Sequence, residues 1–340
     1  MDSSIYSSEM DHEPPFQETY KTLLHKHLGD SKDDSFSMVE TCDLPLIDLG
    51  KLNLGHRERE ECMKEITEAA REWGFFEVVN HGISKELLEN LQFEQRKVFY
   101  QPFVKKSAEA VFGLSSKTYR WGNPFATNLR QLSWSEAFHF SMTDISRLDQ
   151  HKNLRSCIQA FAATVGPLAE CLAEILLARK RNMKSSYFQE NCMPNGSFIR
   201  LNRYPPCPLS PKVFGLMPHS DTSFLTIVHQ DQVGGLQLMK DGKWVSVKPN
   251  QQALVVNIGD LFQALSNGVY KSIKHRVVAA EKVERLSAAF FYCPTAETVI
   301  QSYSTPALYR KFTLKEYKQQ TEKDVKQSGD KVGLSRFLIM

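Results

Sequence analysis

Seven short apolar runs, at residues 198–204, 224–228, 235–238, 244–247, 253–258, 275–280 and 287–292, follow one another with turn-forming residues between them. Each is too short for a core helix. Their serial spacing in one stretch of chain specifies an all-β sandwich or barrel. The chain has 340 residues, so 197 residues with a different pattern precede this region.

That first half reads as helices around a few strands. Residues 44–49 and 75–79 form strand-like runs. Between them, Met63, Ile66, Ala70 and Trp73 recur at helical spacing over 58–73, and Gly74 stops the helix. Asn80-His81-Gly82 reads as a turn. Ser84 is placed to N-cap a helix carrying Leu87, Leu88, Leu91, Val98 and Phe99, which Pro102 ends. Residues 105–150 show weak periodicity around two polar-aromatic clusters, 119–123 and 134–138. A long helix is expected over 154–180, kinked at Pro167, and a last one over 313–326, followed by an apolar tail at 337–340. Residues 1–40 are polar, with Pro14-Pro15 and an acidic run at 30–34, and read as a loosely ordered arm holding one short amphipathic helix over 16–28. The organisation expected is therefore an arm (1–40), a helix-rich region (41–190), a β core (191–305) and a C-terminal helix and tail (306–340).

Charge and composition narrow the function classes. With 42 Lys+Arg against 39 Asp+Glu the net charge is +3, which gives no reason to expect a nucleic-acid partner. The most apolar stretch, 165–178, is interrupted by Glu170 and Glu174, so no membrane span is expected. The first residues carry no basic patch followed by an apolar run. A cytoplasmic protein is expected, with the nucleus left open. The seven cysteines are scattered without a CxxC pair, as reduced thiols would be, and build no zinc site.

Chemistry concentrates in the β region. His219 and Asp221 stand two residues apart, so an extended chain points both to one side. His275 opens a later apolar run. Two histidines and one carboxylate leave half an octahedron open, the arrangement of non-haem Fe(II) oxygenases, with room for a cosubstrate and dioxygen. Arg285 and Ser287 form a second pair on one face. A guanidinium fork suits a carboxylate, and the Tyr204 hydroxyl is placed to help, so a small dicarboxylate would span metal and clamp. Singly, an HxD, a lone His or an RxS is usually structural; their order beside strand-like runs is what gives them weight. His81, His139, His229 and Cys207 read as turn or packing residues. Arg120 with Trp121 reads either as a surface cation–π pair or, the reading preferred here, as a site for an apolar acid, the Arg meeting its carboxylate and aromatic rings covering its body.

Taken together, residues 201–207, 219–222, 275–277 and 285–287, with 45–48 and 73–82 upstream, resemble plant Fe(II)/2-oxoglutarate-dependent dioxygenases over about residues 42–320. The resemblance implies a mainly β fold with α, a double-stranded β-helix (jelly-roll) core flanked by helices of the N-terminal half. It implies Fe(II) held by His219, Asp221 and His275, 2-oxoglutarate gripped by Arg285, Ser287 and Tyr204, and ascorbate as reductant. Residues 14–21, 117–124 and 132–139 are similar to gibberellin 2-oxidases of the subgroup acting on twenty-carbon gibberellins, which implies 2β-hydroxylation and loss of hormone activity. A gibberellin 20- or 3-oxidase, a flavonoid or alkaloid oxygenase, and a non-catalytic module that binds a small acid are the alternatives. The oligomeric state is left open.

Overall fold

The computed structural model describes residues 12–27, 39–108, 114, 118–148, 151–177, 186–192 and 196–339. Its helices are α1 (Phe16–His27), α2 (His56–Glu72), α3 (Lys85–Phe99), the single turn α4 (Phe103–Lys106), α5 (Met142–Ile145), α6 (Lys152–Leu177), α7 (Tyr187–Cys192), α8 (Asp260–Leu265) and α9 (Leu314–Ser328). The strands are β1 (Thr41–Cys42), β2 (Leu46–Asp48), β3 (Phe75–Val79), β4 (Tyr119–Trp121), β5 (Glu136–Ser141), β6 (Phe198–Tyr204), β7 (Phe214–His219), β8 (Leu225–Gln230), β9 (Leu236–Lys240), β10 (Lys243–Val247), β11 (Leu254–Ile258), β12 (His275–Val278), β13 (Arg285–Tyr292), β14 (Val299–Ile300) and β15 (Phe312–Thr313).

Two sheets make the β core. The larger has the order β2-β3-β11-β8-β13-β6-β5-β4, the smaller β1-β10-β9-β12-β7, and β14 and β15 pair apart. In both sheets, pairs such as β6/β13, β8/β13, β7/β12 and β9/β12 join distant parts of the chain, as the double-stranded β-helix requires. Each of the seven apolar runs overlaps a strand. Strands β4, β5 and β7 were not legible as such. The alternation of β5 is broken at Glu136, a buried carboxylate, and β7 holds Gly215 and Pro218 and is only partly covered.

Helices α2, α3 and α6 pack on the outer face of the large sheet. Ile158, Phe161, Val165, Ala169, Leu172 and Leu176 of α6 are buried against α2, α3, β8 and β13. Full burial of such side chains stabilises by roughly 1.5–3 kcal/mol each before entropy is counted. By length and composition alone α6 would pass for a membrane span; here its apolar stripe is core. The helix runs unbroken through Pro167. The last three residues of the expected helix, 178–180, lie outside the described residues, as does the acidic run at 30–34.

Of the N-terminal arm, residues 12–27 and 39–40 are described; the short helix expected over 16–28 is present there as α1, and it is docked. Within its described part, α1 buries Phe16, Tyr20 and Leu24 against Leu132, Trp134 and Cys207. A charge network holds the segment before it. Lys106, fully buried, donates to Glu136 at 2.6 Å and to the His12 carbonyl at 2.7 Å. Arg203 pairs with Glu136, Glu284 and Glu13 at 2.8, 2.8 and 2.9 Å. Buried charges persist when paired in this way. A polar composition made the arm read as loose, because its few apolar residues, four apart on one helical face, were too few to outweigh it.

Candidate metal and cosubstrate site

Register brings the candidate ligands together. His219 ends β7, His275 begins β12, and the two face each other directly across the small sheet. Asp221 follows β7 by two residues. One donor atom from each of the three lies within 4.8 Å of the others. Asp221 Oδ1 is 3.6 Å from His219 Nε2 and 3.8 Å from His275 Nε2.

The supporting hydrogen bonds suit a metal. His219 Nδ1 bonds the Met217 carbonyl at 2.8 Å and His275 Nδ1 the Ile273 carbonyl at 3.0 Å. Each carbonyl accepts from Nδ1–H, the tautomer in which Nε2 keeps a free lone pair. Asn257 donates to Asp221 Oδ2 at 2.9 Å, which leaves Oδ1 for the shared space. Burial opposes the charged Asp221, but the two imidazoles, Asn257 and Thr226 outweigh it, and the carboxyl titrates at about 2. Burial, then His275, pushes His219 down to about 3. A neutral His219 beside a charged Asp221 is what Fe(II) ligation needs of those two groups. The donor set fits that ion.

These groups open onto a cavity of about 330 Å³ between the sheets. Its far wall is the inner face of the large sheet, where Arg285 pairs with Tyr204 and Ser287 with Asn202. Arg285 is 2% exposed. Its guanidinium donates to Gln230 at 2.8 Å and to Ser287 Oγ at 3.4 Å, and lies 4.9 Å from the Tyr204 ring centre. Its Nε has no partner among the described residues. A charged fork held open in this way is arranged to receive a carboxylate.

Residues 195–294 match the family model of the 2OG-Fe(II) oxygenase superfamily, and residues 44–158 that of the N-terminal region of non-haem dioxygenases in morphine synthesis. Gibberellin 2-beta-dioxygenase 8 of Arabidopsis thaliana is 52% identical, over 96% of this chain and 98% of its own length. Gibberellin 2-beta-dioxygenase 6 of Oryza sativa subsp. japonica is 46% identical, over 87% and 85%. The chain belongs to the 2OG-Fe(II) oxygenase superfamily. Among solved members, JOX2 in complex with 2OG, Fe and JA aligns with a TM-score of 0.75 at 31% identity, over 93% of this chain and 97% of that one. Membership of this superfamily implies Fe(II) and 2-oxoglutarate, and the double-stranded β-helix is its core.

Within this oxygenase, the pair read as a substrate site is split. Arg120 and Trp121 are neighbours on β4, so their side chains leave opposite faces. Arg120 sits opposite Ala137, on the cavity side; Trp121 packs at 5.6 Å from Phe16 and 5.5 Å from Phe103 on the other. Neither lines the cavity. His139, read as structural, does, as do Asn257, Arg200, Lys318 and Lys331. Alternation along strands β5, β6 and β11 would have placed the first three on one face, once the register was known. His81 serves its turn, accepting from the Ile83 amide at 3.2 Å, and Cys207 is packed, its thiol pushed up to about 11 by burial.

Proposed function

We propose that this oxygenase 2β-hydroxylates gibberellins, twenty-carbon members in particular, and so inactivates the hormone. One observation carries the reading. His219, Asp221 and His275 converge in the same cavity as the open Arg285 fork, in a chain similar over nearly its full length to gibberellin 2-beta-dioxygenases.

His219, Asp221 and His275 would hold the iron. Bound Fe(II), with 2-oxoglutarate and dioxygen, supplies the oxidising power that puts one oxygen atom on the substrate and the other into succinate, with loss of carbon dioxide. Arg285 and Ser287, with Tyr204 beside them, would bind the distal carboxylate of 2-oxoglutarate and fix its orientation. Asn257 holds Asp221 in the rotamer that serves the ion. The walls of the cavity keep water from the reacting carbon. Ascorbate would keep the iron ferrous, and the cytoplasm is the compartment assigned.

The test is mass spectrometry. Anaerobic protein receives Fe(II), ascorbate, 2-oxoglutarate and a mixture of nineteen- and twenty-carbon gibberellins, and air is admitted. Gain of one oxygen on a twenty-carbon member, matched by succinate, is the expected result. Succinate without a gibberellin product would discard the hormone. Neither product, from protein shown to hold iron, would favour a binding module.

A further inference from the structure

Among the described residues, Arg200 is the one cavity-lining charge on the large sheet that the reaction described above leaves without a role. It stands on β6, opposite Ala289 of β13 on one side and His139 of β5 on the other. The 2-oxoglutarate clamp occupies the preceding pairs, Arg285 with Tyr204 and Ser287 with Asn202. Arg200 is thus two residues, about 7 Å of strand, beyond Asn202 and away from the clamp.

Its surroundings are incomplete without an anion. Arg200 is half-buried, and no hydrogen bond or ion pair joins its guanidinium to any described residue. Burial lowers its pKa most; Tyr204 opposes this, Arg120 adds to it, and Asp221 opposes it least. Lys318 of α9 also lines the cavity, with Nζ 5.9 Å from the Phe198 ring centre. The charges of Arg200, Arg120 and Lys318 all bear on His139, with a smaller opposing pull from Asp144. Asp221, the acid nearest Arg200 in effect, is taken up by Asn257 and the histidines. Three cations with no ion-paired carboxylate among the described residues repel one another, and a ligand carboxylate is the natural complement.

An apolar shelf adjoins them. The Phe198 ring stacks on Phe291 at 4.4 Å and meets the His139 ring at 4.3 Å, tilted by 31°. His139 is held neutral, its pKa pushed down to about 4 by burial and then by Arg200. Cations beside a neutral aromatic shelf describe an amphipathic acid: a ring system on the shelf and a carboxylate at its edge.

We propose that Arg200, assisted by Lys318 at the cavity mouth, binds the carboxylate of the substrate, while His139, Phe198 and Phe291 carry its apolar rings. The assignment rests on the hydroxylase reading and deepens it. It moves the acid-capturing role from Arg120 and Trp121 to a residue on the cavity wall.

The experiment compares a twenty-carbon gibberellin with its methyl-esterified form, in wild type and in Arg200→Gln. Wild type loses about 30-fold in kcat/KM on esterification. Arg200→Gln loses a similar factor on the free acid and little more on the ester. Its KM for 2-oxoglutarate stays within about twofold of wild type, and Arg200→Lys recovers part of the loss. An unchanged KM for the acid, or an ester penalty as large in the variant as in wild type, overturns the proposal. If Arg200→Gln does not fold, Lys318→Gln, on the exposed side, must show an acid-specific loss of about threefold; none overturns it. If wild type converts no gibberellin, the hormone reading fails separately. The subsite then stands only if jasmonic acid or indole-3-acetic acid stimulates succinate release by wild type and not by Arg200→Gln, and it falls if neither does.

Discussion

Lys331 donates its Nζ to the Ser220 carbonyl at 2.7 Å, across 111 positions of sequence. Ser220 is the residue between His219 and Asp221. The same ammonium reaches Thr222 Oγ1 at 2.8 Å and Asp260 Oδ2 at 2.6 Å, and the Asp260 amide donates to the Asp221 carbonyl at 2.8 Å. The C-terminal segment therefore holds the backbone on which two candidate ligands stand.

Removing that anchor should loosen the ligand turn as well as the fold. Lys331→Met leaves the Asp260 carboxylate buried without its cation, which costs about 3–5 kcal/mol. We expect a lowered Tm together with about tenfold weaker Co(II) binding, read from the visible absorption of the metal without cosubstrate. Wild-type Co(II) affinity in a destabilised variant would make Lys331 purely structural.

The Arg285 fork makes a separate prediction. Lys carries the charge but cannot offer two parallel donors or rest its plane on Tyr204. Arg285→Lys should raise KM for 2-oxoglutarate about tenfold or more, one charged hydrogen bond's worth, and leave KM for the gibberellin nearly unchanged. An unaltered KM for 2-oxoglutarate would take Arg285 out of the clamp.

Acid sensitivity follows from two neutral histidines. Burial, then His81, holds His229 at about 4, and burial, then Arg200, holds His139 at about 4. Both titrate near 6.5 in the unfolded chain. Between these values the unfolded chain binds more protons, so stability is full above about pH 6.5 and is lost as pH falls towards 4. Tm measured from pH 7.5 to 4.5 should fall across that window, and His229→Gln, away from the cavity, should flatten part of the slope. An identical slope in the variant would refute the assignment.

How much of this was visible in the chain depends on range. The pairs His219/Asp221 and Arg285/Ser287 were legible because strand alternation acts over two residues. His275 was legible as a type, and only register placed it opposite His219. The same alternation separates Arg120 from Trp121, which the grouping of polar and aromatic residues had joined. Asn257, His139 and Arg200 lie in or beside legible runs, but their common face exists only after β11, β5 and β6 take their places in one sheet. Lys331 had no local signal at all. Topology, not composition, supplied what was missing.

The docked arm gives the last prediction. Phe16 is 2% exposed, stacked at 4.6 Å on Trp134 and edge-on to Trp121, and the Tyr20 hydroxyl accepts from the Asn123 amide. These contacts couple α1 to the segment that leads into β5, and through Glu136, Lys106 and Arg203 to the back of β6, whose front carries Asn202 and Arg200. Truncating a buried Phe costs about 3–5 kcal/mol when the cavity cannot collapse. Phe16→Ala should therefore lower Tm by several degrees, red-shift tryptophan emission as Trp134 and Trp121 meet water, and speed proteolysis within residues 1–40. A loosely tethered arm would show none of these, so wild-type Tm and emission in Phe16→Ala would restore the reading of this segment as loose.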